Sequence, residues 1–143
     1  MKALTLTEPW ATLVMLGEKR VETRSWACDY RGPLAIHSAK RCPKKEFAAL
    51  VSQERFYRAL RLNGQYAYPE LNRGHVLCIT NVLRCVRTEE AVKELSEKEI
   101  EFGNYGPGRW AFFLGPVERI KPVPATGHLM LWDWNRPPEG MLP

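Results

Sequence analysis

The chain has 143 residues, of which 45% are hydrophobic and 26% are charged. This composition is typical of one soluble globular domain and argues against wholesale disorder, a collagen-like repeat or a disulfide-dense mini-protein. The longest apolar runs have about five residues, whereas a membrane-spanning helix needs about 18, so no membrane segment is expected. The first residues lack the apolar core of a signal peptide, and we therefore expect a cytoplasmic protein.

The net charge of +5 is unevenly distributed along the chain. Residues 19 to 61 contain eleven basic and four acidic residues, whereas residues 89 to 101 contain six acidic and two basic residues. A basic half that faces an acidic helical segment is typical of a surface that binds anions. Because phosphate groups need cationic partners, RNA or a nucleotide becomes a candidate partner.

The cysteines and histidines do not follow the pattern of a metal site. The four cysteines contain no CxxC pair, and the three histidines are scattered without a nearby pair of carboxylates. We therefore expect free thiols, no bound metal and no cofactor.

Hydrophobic alternation predicts seven short strands in chain order, at residues 2 to 6, 20 to 26, 33 to 39, 76 to 86, 110 to 114, 117 to 121 and 128 to 132. Apolar residues at helical spacing predict a helix from 10 to 16, one or two helices between 43 and 62, and short helical turns between 88 and 103. The last of these turns begins with a capping box of Ser96 and Glu99. The segments rich in Gly, Pro and Asn are expected to be loops, at 63 to 74 and 104 to 108.

This succession of elements predicts an α+β fold in which strands dominate the C-terminal part. We expect a small, partly closed β-barrel of about six strands with helices packed at its ends, since closure removes exposed sheet edges. One domain over residues 1–134, followed by a C-terminal tail over residues 135–143, accounts for the whole chain.

The segment from Gly17 to Trp26 brings charged residues together. Glu22 and Arg24 are two positions apart, so in a strand they point to the same face, and the flexible amine of Lys19 reaches them from the preceding turn. A carboxylate that accepts amino protons beside cations that hold anionic oxygens is suited to binding a base edge and a phosphate together. The alternative is an exposed ladder of ion pairs, which contributes little to stability.

This segment resembles the signature of the ASCH domain family, a relative of the PUA fold, which is written GxKxxExR. All four fixed positions match, at Gly17, Lys19, Glu22 and Arg24. Three further segments are similar to the family, at residues 6 to 11, 32 to 37 and 108 to 112. The resemblance implies a small PUA-like β-barrel with a cleft that is lined by the signature residues and binds RNA or modified nucleosides.

The expected ligand-binding residues are those that the motif and its neighbourhood bring to this cleft: Lys19, Glu22, Arg24, Trp26, His37, Tyr105 and Arg109. Trp26 and Tyr105 are candidates for stacking on a base. Arg109 is carried over from the family-like Gly-Arg-aromatic segment. His37 either lines the cleft as a donor or general acid, or it is a satisfied core histidine.

The resemblance leaves binding and catalysis open. One branch of the family resembles an amidohydrolase that deacetylates N4-acetylcytidine with a lysine, a threonine three residues later and a glutamate on a distant strand. Lys19 matches this set, but position 22 is glutamate, and the strand over residues 75 to 86 has no carboxylate. Other members are reported as ribonucleases.

We therefore expect a module that binds RNA or a nucleotide. The first alternative is a hydrolase of modified nucleosides or a ribonuclease that acts in the same cleft with Lys19 and Glu22 as its catalytic residues. The second alternative is an adaptor whose basic helical region, residues 40 to 61, contacts an acidic protein.

Overall fold

The computed structural model describes residues 1–62 and 66–138. Its strands are β1 (Lys2–Leu6), β2 (Val21–Arg24), β3 (Gly32–Ser38), β4 (His75–Arg87), β5 (Trp110–Leu114), β6 (Glu118–Pro124) and β7 (Leu131–Asp133). Its helices are α1 (Trp10–Met15), α2 (Lys44–Val51), α3 (Glu54–Leu62), α4 (Thr88–Ala91) and α5 (Glu97–Glu101), with short 3₁₀ turns at Tyr68–Glu70 and Val92–Glu94. None of the helices in these two ranges combines the length and the hydropathy of a membrane span. The start of the predicted loop, 63–65, and the end of the predicted tail, 139–143, lie outside the described residues.

The strands form one mixed sheet that stays open. Along its main path the order is β2-β5-β4-β3-β1-β7, and β6 pairs with β4 beside that path. β1 and β3 run parallel, and the other pairs are antiparallel. The α+β class agrees with the expectation, but the expected barrel is wrong, because β2 and β7 do not pair with each other within the described residues.

The long strand β4 and the short terminal strands explain this open form. β4 pairs with β3 and β6 along its first part and with β5 along its second part, and its register shifts in each ladder. Such bulges bend a strand and increase its twist. The terminal strands β2 and β7 have only four and three residues, which is too short for an extended ladder that would close the sheet.

The central strands are buried on both faces. Residues of β1 and β3 that enter the main core beneath α1 are Leu4, Leu6, Leu34 and Ile36, whereas Ala3 and Ala35 join a second cluster with Trp132 and Trp134. This alternation follows from the two-residue period of a strand. Thr5 and His37 therefore point away from the main core.

The carboxylate of Glu8 anchors the start of α1. It accepts hydrogen bonds from the backbone N–H of Thr12 at 2.9 Å and from the Thr12 hydroxyl at 2.7 Å. The hydroxyl of Ser38 in β3 donates to it at 3.0 Å. Burial raises the pKa of Glu8, although these bonds act in the opposite direction. Glu8 thus ties α1 to β3 and fixes the segment between β1 and α1.

The predicted helical region between 43 and 62 forms two helices that are interrupted at Ser52 and Gln53. α3 packs Phe56 against Leu13 of α1 and against Phe102, which follows α5. This packing brings the start of α3 close to β2.

Candidate ligand-binding cleft

A cleft with a volume of about 590 Å³ opens beside β2. Its walls come from the end of β1, the start of α1, β2, the junction of α2 and α3, and the segment that follows α5. Its charged lining residues are Glu22, Arg24, Glu101 and Arg109, and its aromatic ones are Trp10, Phe56 and Phe102. The volume lies within the usual range of small-molecule sites, about 300–1,000 Å³.

Lys19 lies behind the cleft and does not line it. Only 1% of the residue is exposed. Its ammonium donates to the carbonyl oxygens of Val21 at 2.5 Å and Phe102 at 3.1 Å, and it lies 3.5 Å from Oε1 of Glu22. The two carbonyl oxygens use two of the three N–H donors of the ammonium, and the contact with Glu22 is an ion pair. The geometry therefore gives Lys19 a positioning role for Glu22, in place of the expected contact with a ligand.

Glu22 and Arg24 point from β2 into the same wall of the cleft. Nε of Arg24 donates to Oε2 of Glu22 at 3.0 Å, and Nη2 lies 2.9 Å from the same oxygen. Nη2 also donates to the carbonyl oxygen of Thr5 at 2.9 Å, which links β2 to β1. Nη1 of Arg24 makes no hydrogen bond to a residue that the structure describes. The wall thus presents a fixed carboxylate beside a guanidinium that retains free donors.

Arg109 reaches the cleft from the loop between α5 and β5. Its Nε donates to the carbonyl oxygen of Asn104 at 3.1 Å, and its Nη2 donates to that of Thr23 at 3.4 Å. The hydroxyl of Thr23 accepts a hydrogen bond from the backbone N–H of Asn104 at 3.0 Å. This loop and β2 therefore hold a second guanidinium at the cleft.

Glu99 of α5 fixes the start of β2, a role that the sequence pattern does not indicate. Its buried carboxylate accepts hydrogen bonds from the backbone N–H groups of Arg20, at 3.0 and 3.1 Å, and of Val21, at 2.9 Å. The predicted capping box is only half formed, because the Ser96 hydroxyl accepts from the Glu99 N–H while the carboxylate turns to β2. The spacing of Ser96 and Glu99 is already explained by a capping box. No signal in the neighbouring sequence indicates that the carboxylate contacts β2 instead.

Trp26 does not line the cleft, in contrast to the expectation. Its ring packs edge-on against Phe112 of the main core, with ring centroids 5.2 Å apart. The aromatic side chains at the cleft are instead supplied by α1, α3 and the residue after α5. Trp10 belongs to the apolar pattern that predicts α1, and this pattern contains no signal that its ring also faces the cleft.

Tyr105 is also absent from the cleft lining. It packs against the cluster around Val21 and Ala111, and its buried hydroxyl has no hydrogen-bond partner among the described residues. Burial, reinforced by the carboxylates of Glu99 and Glu22, raises the pKa of Tyr105 well above its ordinary value. The hydroxyl is therefore neutral at physiological pH.

His37 does not line the cleft, and its side chain is buried and hydrogen-bonded within the protein. Its Nε2 lies 2.7 Å from the carbonyl oxygen of Ala125, and its Nδ1 lies 3.1 Å from the Thr5 hydroxyl. Since a carbonyl only accepts, Nε2 carries the proton and Nδ1 accepts from Thr5, whose oxygen in turn accepts from Nε1 of Trp132 at 3.1 Å. Burial lowers the pKa of His37. Both ring nitrogens are thus engaged within the protein.

Within residues 1–62 and 66–138, no group of three or more His, Cys, Asp or Glu side chains is arranged to hold a metal ion. The four cysteines are free.

Comparison with known proteins identifies the family. A family model described as the ASCH domain matches residues 4–122, a range that includes all four signature positions. The chain belongs to the ASCH domain family. It is also 28% identical over 131 residues to activating signal cointegrator 1 of Mus musculus and of Homo sapiens, which covers 90% of this chain but 21% of each relative. This ASCH domain thus spans about a fifth of the length of these curated relatives.

Solved structures of other ASCH proteins share its fold. The crystal structure of ASCH from Zymomonas mobilis has a TM-score of 0.57 and 14% sequence identity, covering 94% of this chain and 87% of that chain. A mutant form of the same protein gives a TM-score of 0.55 at 15% identity, with 94% and 89% coverage. The likeness supports the α+β architecture and carries no information about the ligand.

Proposed function

We propose that this ASCH domain binds RNA or a nucleotide, with a base in the cleft and a phosphate on the guanidinium groups of Arg24 and Arg109. The observation that carries this proposal is the pair of Glu22 and Arg24, which is held in a fixed position on the cleft wall. A binding site needs such polar groups in place before the ligand arrives, because ordering them afterwards lowers the affinity.

The carboxylate of Glu22 is suited to recognition of a base edge. Lys19 and Arg24 hold it from two sides, while the carboxylate retains acceptor capacity for amino or imino protons. Watson–Crick edges become accessible to such a group only when a base is unpaired, which favours a nucleotide or single-stranded RNA over a duplex.

The apolar part of the cleft offers a surface against which a base can pack. Trp10 is half-buried and meets Phe56 edge-on, with ring centroids 6.3 Å apart. Stacking of a base on an aromatic side chain contributes about 1–3 kcal/mol where it occurs. The combination of a polar wall and an aromatic wall fits a nucleobase better than it fits a simple anion.

The two guanidinium groups are suited to a phosphate. Nη1 of Arg24 and Nη1 of Arg109 make no hydrogen bond within the described part of the chain. Hydrogen bonds between guanidinium and phosphate groups are charge-assisted and are about twice as strong as neutral ones.

The name of the curated relatives, an activating signal cointegrator, fits a protein that acts by association.

Calorimetric titration of the purified chain with the four ribonucleoside monophosphates tests this proposal. Arg24→Gln is expected to weaken binding by about tenfold to a hundredfold, since a hydrogen bond to a charged group contributes about 1.5–3 kcal/mol. Arg24→Lys, which keeps the charge but loses the planar fork, is expected to recover only part of the affinity. The matched control is Arg20→Gln, because Arg20 is exposed in the same motif but outside the cleft lining.

Equal losses in Arg24→Gln and Arg20→Gln would contradict the proposal, since they would show a general effect of charge. Absence of binding in the unchanged protein would contradict it as well.

A separate titration with N4-acetylcytidine, with acetate measured in the same samples, distinguishes binding from hydrolysis. Glu22 stands where the amidohydrolase-like branch has a threonine, and the hydroxyl of the neighbouring Thr23 already accepts a hydrogen bond from Asn104. We therefore expect N4-acetylcytidine to bind without release of acetate. Turnover at about 1 s⁻¹ or faster, lost in Glu22→Gln, would instead establish the hydrolase alternative.

A further inference from the structure

A second depression, with a volume of about 1050 Å³, lies on the other side of Thr5, which lines both it and the cleft. Its basic lining residues are Lys40, Arg41 and Arg73, together with the imidazole groups of His37, His75 and His128. We refer to this depression as the basic groove. The carbonyl oxygen of Thr5 accepts from Arg24 at the cleft, while its hydroxyl contacts His37 at the wall of the groove. The two sites are therefore neighbours.

In the described part of the chain, no carboxylate forms a direct ion pair with the lysine and arginine side chains of the basic groove. Among the residues that the structure describes, none of the Lys40, Arg41 and Arg73 side chains forms a salt bridge, and no carboxylate lines the groove. Glu8 acts on Arg73 from the buried side, where Thr12 and Ser38 already hold its carboxylate. Cations that line a concave surface focus the potential and concentrate anions there.

Part of this charge is held in a fixed position. Nη1 of Arg73 donates to the carbonyl oxygen of Lys40 at 2.8 Å, and its guanidinium lies 4.9 Å from the ring centroid of Tyr68. Nδ1 of His75 lies 2.8 Å from the carbonyl oxygen of Arg73, so Nδ1 carries the proton and Nε2 has no partner among the described residues. The groove therefore offers oriented donors as well as net charge.

We propose that the basic groove binds backbone phosphates of a single-stranded RNA whose base occupies the cleft, so that the domain holds several consecutive nucleotides. This inference rests on the proposed function, because the cleft supplies the register of the strand. An acidic peptide is the competing occupant, and the position of the groove beside the nucleotide-sized cleft favours RNA. Phosphate contacts in the groove add affinity without sequence preference, whereas the cleft reads the base.

Fluorescence anisotropy with a labelled single-stranded RNA of about eight nucleotides tests the inference, since one domain that binds single strands covers about 4–16 nucleotides. The test variant is the double substitution Lys40→Gln and Arg41→Gln, because both side chains are exposed and neither forms a salt bridge with a residue in 1–62 or 66–138. The matched control is Arg119→Gln with Lys121→Gln, which removes the same charge from exposed positions of β6 outside the cleft and the groove.

The test variant is expected to weaken RNA binding by about tenfold or more at about 100 mM salt, and to reduce the steepness of the plot of log affinity against log salt by about 1.4. This value corresponds to the loss of two phosphate contacts, at about 0.7 for each contact with a single strand. The control variant is expected to stay within about threefold of the unchanged protein, since salt screens the attraction of two exposed charges that make no contact with the bound strand. Mononucleotide affinity should be unaffected in both variants.

The outcomes separate this inference from the proposed function. If the mononucleotide binds but the longer RNA binds no more tightly, or if both double variants lose affinity equally, only the inference is overturned. If an octamer of glutamate binds as tightly as the RNA and loses the same affinity in the test variant, the groove is a docking site for acidic protein segments and the inference is overturned. If neither RNA nor mononucleotide binds, the proposed function fails and this inference fails with it.

Discussion

Replacement of Lys19 by methionine removes a buried charge from behind the cleft. Methionine keeps most of the apolar length of lysine but removes the ammonium that joins β2 to the end of α5. The carbonyl oxygens of Val21 and Phe102 lose their donor, and Glu22 loses one of its two cationic partners. Because the lysine is 1% exposed, water has little access to replace the lost contacts.

The expected cost follows from these contacts. Removal of one partner from a buried ion pair costs about 3–5 kcal/mol, and a buried acceptor that loses its donor costs about 1–3 kcal/mol. Arg24 still pairs with Glu22 at 2.9 Å, which limits the penalty on the carboxylate. We therefore expect Lys19→Met to lower the free energy of unfolding by about 3 kcal/mol, at the lower end of the range for a broken buried pair.

Urea denaturation at neutral pH measures this loss. The matched control is Lys93→Met, because the Lys93 side chain is 70% exposed and its pair with Glu90 is solvated; a change within about 0.5 kcal/mol is expected for it. In the double variant with Glu22→Gln, the loss should be smaller than the sum of the single losses, because Lys19 and Glu22 interact directly. A loss below about 1 kcal/mol in Lys19→Met, or strict additivity, would refute the positioning role.

Three further predictions concern the surroundings of both sites. Gly127→Ala places a Cβ 2.7 Å from Oγ1 of Thr5 and 2.8 Å from Cε1 of His37. Urea denaturation should therefore show that the free energy of unfolding falls by about 1–3 kcal/mol, as is typical of overpacking. The control is Gly115→Ala, whose Cβ would lie 3.4 Å from its nearest neighbour, and equal losses in both variants would contradict the packing argument. The folded state binds a proton at His37 less readily than the unfolded state, in which the pKa of histidine is near 6.5. The free energy of unfolding should therefore fall as the pH drops below that value. His37→Gln should reduce the slope of the urea midpoint against pH. An unchanged slope would contradict this prediction, since it would show that groups other than His37 cause the acid sensitivity. Tyr105→Phe should leave the thermal midpoint unchanged or raise it, since the hydroxyl is buried without a partner among the described residues; a clear loss of stability would reveal a partner for it.

Local sequence patterns were enough to predict most helices and strands and the central residues of the candidate site. Strand alternation placed Glu22 and Arg24 on the same face, and the structure brings Lys19, Glu22 and Arg24 into contact. The Gly17 position has a φ of +75°, which fits the glycine of the signature at the turn after α1. These features depend on residues within a few positions of one another, and such spacing is visible in a sequence.

Contacts between distant segments were not visible in the same way. Glu99 reaches the start of β2 from 78 positions away, and the capping-box spacing concealed this contact. The burial of Lys19 behind the cleft could not be predicted locally, because the carbonyl oxygen of Phe102, which accepts from its ammonium, lies 83 positions away. The prediction of a closed barrel was wrong for a related reason. Alternation within a strand shows which face is buried, but it does not show whether the terminal strands of the sheet pair with each other.

Titration of ¹⁵N-labelled protein with a mononucleotide, followed by backbone amide chemical shifts, tests the proposed placement of the ligand most directly. We expect the largest shifts at the amides around the cleft, namely those of Thr7, Thr23, Arg24, Gly103 and Asn104, and no shift at the amide of Lys121 on β6. Shifts that cluster on another surface, or no shifts at nucleotide concentrations of about 1 mM, would contradict it.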